Sequence, residues 1–133
     1  IVTNINIGTP SAEYRLGIYQ ATSLTNLYPN QLVLDAGTFD ASTSGIKLGT
    51  IDIKLNSNIL YWFVHVAGGT ADANIKSVNI ADCFPILGAG TAMTRVDNIV
   101  SVSYTYGTLS ATFPTGGTAA VATSPAMGVR FLS

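Results

Sequence analysis

Residues 59–67 read Ile-Leu-Tyr-Trp-Phe-Val-His-Val-Ala, a run with no glycine, proline, lysine, arginine or carboxylate. It is too short for a membrane-spanning helix, which needs about 18–20 apolar residues. Its β-branched and aromatic content predicts a strand. Alternation sorts the run into two sets: Leu60, Trp62, Val64 and Val66 on one face, and Tyr61, Phe63 and His65 on the other. Both sets are apolar, as expected of a strand covered on both sides. Leu60, Trp62 and Val64 read as core. Tyr61, Phe63 and His65 read as a candidate oligomer interface, because interface cores favour aromatic side chains.

The same two-residue period recurs on both sides of this run. In IVTNINI (1–7), Ile1, Thr3, Ile5 and Ile7 share a face. In EYRLGIYQ (13–20), Tyr14, Leu16 and Ile18 alternate with Arg15, Gly17 and Tyr19. Gly17 leaves room on its face for another group to approach closely. LVLDAGTF (32–39) is a further strand, in which the Asp35 carboxylate can accept backbone N–H bonds and hold the next turn. In GIKLGTIDIKL (45–55), Ile51, Ile53 and Leu55 oppose Asp52 and Lys54. Residues 74–81, 97–107, 108–113 and 127–133 are strand-like too. Turn chemistry separates these segments at Tyr28-Pro29-Asn30, Thr43-Ser44-Gly45, Asn56-Ser57-Asn58 and Thr115-Gly116-Gly117-Thr118. The triplet at 56–58 suits an Asx-type turn or a tight hairpin between the fourth and fifth strands. Residues 84–94 fit either a loop or one short helical turn.

About eight or nine short strands without helices predict an all-β fold, an antiparallel β-sandwich of jelly-roll-like topology. The 133 residues suit one domain, 1–133. The chain opens at Ile1 directly in strand-like sequence, which suggests a fragment of a longer chain.

Chemistry-bearing residues are sparse. Cys83 and His65 are the single cysteine and histidine, so zinc ligation would have to draw on dispersed carboxylates. No metal or cofactor is expected. Asp35, Asp40 and Asp52 lack calcium-loop spacing. Glycoside hydrolysis needs two facing carboxylates, but Asp35 and Asp52 read as structural or solvated. His65 sits mid-strand in apolar sequence, where a catalytic base is unexpected, and no nucleophile elbow or phosphate-binding loop is present. The chain therefore reads as a non-enzyme. Three tyrosines in or beside loops, Tyr28, Tyr104 and Tyr106, are candidate sugar-stacking groups.

Charged residues make up 10% of the chain and net charge is −1. No basic run exists to neutralise phosphates, which argues against nucleic acid. So little charge also predicts that part of the surface is covered by other chains.

The segment from Tyr14 to His65 resembles a domain of tailed-phage virion proteins. The residues that carry the resemblance are YRLGIYQ (14–20), YPNQLVLDAGTFDASTSGIKLGTIDIKL (28–55) and LYWFVHVAG (60–68). Domains of that kind occur at the receptor-binding ends of tail fibres and in head fibres or decorations. The resemblance implies a trimeric jelly roll on the virion surface that contacts other virion proteins and recognises host-surface carbohydrate, with no catalytic residues. Three functions are expected in order: the outer receptor-binding domain of a phage fibre, a capsid decoration or collar protein, and a carbohydrate-binding module of a secreted enzyme. The last requires an exposed Trp62.

Overall fold

The computed structural model describes residues 1–69, 74–78, 99–119 and 124–129. Cys83 and the 84–94 segment lie outside them. Five strands are longer than two residues: β1 (Val2–Ile7), β2 (Ala12–Ala21), β3 (Pro29–Asp40), β4 (Gly45–Leu48) and β5 (Tyr61–Gly69). Six two-residue strands follow: β6 (Asn74–Ile75), β7 (Ser77–Val78), β8 (Val100–Ser101), β9 (Thr118–Ala119), β10 (Ser124–Pro125) and β11 (Met127–Gly128). No helix occurs among the described residues, and every described strand pair is antiparallel. The protein is all-β.

The sheet β3-β2-β5 forms the centre. β2 is its middle strand, and Leu16 and Ile18 are fully buried there. Register sets the faces. Leu16 pairs with His65 and Ile18 with Phe63, whereas Arg15 pairs with Val66, Gly17 with Val64 and Tyr19 with Trp62. Each pair shares a face, so the alternation expected for residues 60–66 holds.

Other parts of the chain pack on both faces. On one side Tyr14, Leu16 and Ile18 pack with Ile1, Ile5 and Ala41, and Tyr61, Phe63, Ile51 and Ile53 close around them. These partners come from β1, which lies in a second sheet ordered β11-β1-β4, and from the 50–55 segment. On the other side Tyr19 packs with Leu109 and Phe113, flanked by Trp62, Val64, Val66, Val100 and Val102. Tyr61, Phe63 and His65, expected at an oligomer interface, are each half-buried in the single chain. Tyr61 and Phe63 lie on the chain's own core, and the His65 ring sits 5.8 Å from that of Tyr14. Trp62 and Val64 belong to the second cluster, as expected of core residues, and Leu60 is half-buried beside them.

Two other expectations are revised. Residues 51–55 alternate half-buried and exposed but belong to no ladder. The turn at 56–58 does not close a hairpin, because β4 pairs with β1 and β5 with β2. Asn58 supplies the left-handed residue of that turn at φ 61°.

Gly17 shows why this strand needs a residue without a side chain. A Cβ there would lie 2.2 Å from Leu109 Cδ1 and 2.8 Å from the Leu34 carbonyl oxygen. Leu109 can turn away, but the backbone oxygen cannot. Gly17→Ala is expected to destabilise the domain by about 2 kcal/mol, as overpacked cores do. Urea denaturation checks this, and an unchanged midpoint would show that Leu109 does not rest on Gly17.

Candidate functional site

The densest polar cluster joins the central sheet to the 99–113 layer. Arg15 of β2 and Asp35 of β3 lie on the same face, one register step apart. The Arg15 guanidinium donates from Nε to Asp35 Oδ1 and Oδ2 at 2.9 Å and from Nη2 to Oδ2 at 2.8 Å. The same carboxylate accepts the Gly37 N–H at 3.0 Å and the Leu109 N–H at 3.1 Å. Gly37, at φ 81°, takes a left-handed conformation that a side chain would strain. Both side chains of the ion pair are less than a fifth exposed. Burial alone would raise the Asp35 pKa, but the guanidinium and the two backbone N–H groups outweigh it and hold the carboxyl below its ordinary range. An ionised acceptor with four donors is a structural lock, with no capacity left for acid–base chemistry.

The hydroxyls of the three candidate sugar-stacking tyrosines are engaged within the chain. The Tyr28 hydroxyl donates to the Pro114 carbonyl at 2.7 Å and accepts the Gly117 N–H at 2.9 Å, while its ring packs edge-on to Phe113. Tyr104 donates to the Thr108 carbonyl at 2.7 Å. The Tyr106 hydroxyl bonds the Glu13 carboxylate at 3.0 Å and the Thr38 hydroxyl at 3.1 Å, and its ring covers Gly68. All three residues are half-buried. The buried Tyr19, whose pKa is pushed up to about 12 by burial, donates to the Ser110 carbonyl at 2.6 Å. These phenols fasten the 104–117 segment to the sheets. Tyr28→Phe, which removes one donor and one acceptor, is expected to lower stability by about 1–2 kcal/mol in thermal denaturation.

A second feature is a shallow groove beside the β1–β6 pairing, lined by Asn6, Asn74, Ser77, Tyr14 and His65. It presents neutral hydrogen-bonding side chains and no charge. Burial pushes the His65 pKa below its ordinary value of 6.5. The sign follows from linkage: the unfolded chain takes up the proton more readily than the folded one. Stability is therefore flat above about pH 7 and falls as pH drops through 6.5 and below. His65→Gln is expected to remove that slope in denaturation measured from pH 7.5 to pH 5; an unaltered slope would mean the imidazole is solvated.

The remaining candidates are bland. Asp40 accepts both the backbone N–H and the hydroxyl of Ser42 at 2.9 Å, which holds a turn and lowers its pKa. Asp52 is exposed. The Trp62 indole N–H donates to the Leu27 carbonyl at 2.8 Å. A cleft of about 500 Å³ runs along β5 between Trp62, Val64 and Val66 and the 99–104 segment. Among the described residues no three His, Cys, Asp or Glu side chains come together, and no helix is long and apolar enough to cross a membrane. Among the described residues, the large apolar side chains left in water are Ile7, Leu24, Ile46 and Leu48.

Ion pair, tyrosine bonds and paired cores define a layered, antiparallel all-β domain. No protein-family model, curated protein or solved structure matches the chain.

Proposed function

We propose that the chain is a structural domain of a virion surface, of the decoration, collar or fibre kind, that works by assembling with copies of itself and with other virion proteins. In this reading the sheets form a jelly-roll-like sandwich and the copies group as trimers. The observation that carries it is Ile46 and Leu48, each 71% exposed and two residues apart on an edge strand. In a chain with 10% charged residues, such a surface favours association over solvation. Immunogold electron microscopy of intact particles tests the assignment. Label on heads or fibres is the expected result, and unlabelled particles would overturn it.

Attachment to host glycan is the second reading. The groove at Asn6, Asn74, Ser77 and His65 favours it, because neutral amides, hydroxyls and an imidazole suit sugar hydroxyls. A glycan array separates the readings: binding that Asn6→Ala and Asn74→Ala abolish would support attachment. A carbohydrate-binding module is supported least, since Trp62 packs in the second core cluster with its N–H already bonded.

A further inference from the structure

We infer that the outer edge of β4 pairs antiparallel with the same edge of a second copy of this chain, about a two-fold axis. The inference rests on the reading of the domain as an assembling one and names a two-fold contact additional to the one that would group copies as trimers.

The phase of the β1–β4 ladder determines which backbone groups are free. Ile1 donates its N-terminal N–H to the Gly49 carbonyl at 2.8 Å, and the Gly49 N–H returns to the Ile1 carbonyl at 2.9 Å. Reciprocal pairs recur every second residue in an antiparallel ladder, so Lys47 and Gly45 bond inward to Thr3 and Ile5. Ile46 and Leu48 then direct their N–H and C=O groups away from β1. β4 is the last strand in its sheet among the described residues. The two residues whose backbone is free are the two whose side chains are 71% exposed.

Of the devices that protect such edges in monomeric proteins, β4 has short length and an inward-facing lysine but no proline, bulge or outward lysine. Its register with β1 is unbroken. Its one lysine shares a face with the buried Thr3, and Lys47 Nζ donates to Thr43 Oγ1 at 2.8 Å, so the charge is turned into the chain's own loop.

The sequence of the edge is suited to itself. Gly45-Ile46-Lys47-Leu48-Gly49 reads glycine, apolar, lysine, apolar, glycine in both directions. An antiparallel copy centred on Ile46 sets each Lys47 opposite Gly45 of the other copy; one centred on Leu48 sets it opposite Gly49. Either register avoids placing the lysines directly opposite each other, leaving them as diagonal neighbours, and joins apolar side chains on the outer face. The contact is isologous. It is also short, well under the roughly 800 Å² per partner of a standard interface, so a lone pair is weak and repeated copies on a particle strengthen it.

Hydrogen exchange on the wild-type chain at low and high concentration tests the pairing. Protection of the Ile46 and Leu48 amides should rise on the order of tenfold with concentration, while the Lys47 amide is protected throughout. Ile46→Lys combined with Leu48→Lys should abolish the concentration dependence and leave the melting temperature unchanged, because both side chains lie in water. Association with the Ile46 and Leu48 amides unprotected would overturn the pairing alone. A chain that sediments as single copies at every concentration would overturn both the pairing and the assembling role.

Discussion

Asp35→Ala is expected to destabilise the domain by about 3 kcal/mol, the low end of the range for breaking a buried ion pair by removing one partner, because this pair is part-buried. Three losses combine. The Arg15 guanidinium keeps its charge in a site where its side chain is 19% exposed. The Gly37 N–H loses the acceptor that supports its left-handed turn. The Leu109 N–H loses the bond that fixes the outer layer to the sheet. Asp35→Asn should lose less, since an amide oxygen still accepts. Acid has the same effect as the alanine variant. The folded pKa lies below the ordinary 3.8, so the stabilisation is present above that value and disappears as pH falls through the folded pKa. Guanidinium denaturation of the variant at neutral pH is the check, and a loss below about 1 kcal/mol would mean the pair is solvated and incidental.

Trp62→Ala is expected to cost about 3–5 kcal/mol, typical of a large aromatic removed from a core. The indole packs with Tyr19 and Val64 on the face that Leu109 and Phe113 cover, and its N–H satisfies the Leu27 carbonyl. Trp62→Phe keeps most of the volume and loses the hydrogen bond, so it should recover more than half of that stability. Because Trp62 is the only tryptophan, its emission reports the site directly. Weak iodide quenching of the folded chain should accompany the result. Strong quenching with little loss of stability would mean the indole faces water.

The sequence discloses the faces of strands better than their neighbours. Alternation through residues 13–20 and 60–66 identified the inward sets, the vacancy at Gly17 and the acceptor role of Asp35, because each depends only on the two-residue period and side-chain chemistry. Coverage on both sides of residues 61–66 was legible as well. What covers each side was not: periodicity records that a face is hidden, and the same pattern results whether the cover is β1 or a sister chain. Residues 51–55 show a related limit, since their alternation reports packing on one side without any ladder. The faces of β4 follow only from its pairing with β1, which places Lys47 beside buried Thr3 and turns Ile46 and Leu48 to water. The Arg15–Asp35 pair left a signal that could have been read: an arginine on the same face as Gly17 in an otherwise apolar strand needs a carboxylate, and Asp35 is the one acidic residue inside LVLDAGT.

The central claim is that one chain, without a partner, packs its own side chains against both faces of β5. His65 tests it most directly, because it is the only histidine and its imidazole resonances need no assignment. They should be followed by NMR titration in the chain carrying Ile46→Lys and Leu48→Lys, kept dilute. A midpoint below 6.5 is predicted, since the ring is desolvated against Tyr14 within the single chain. A midpoint at or above 6.5 would place His65 in water until a second copy arrives, and would contradict the account.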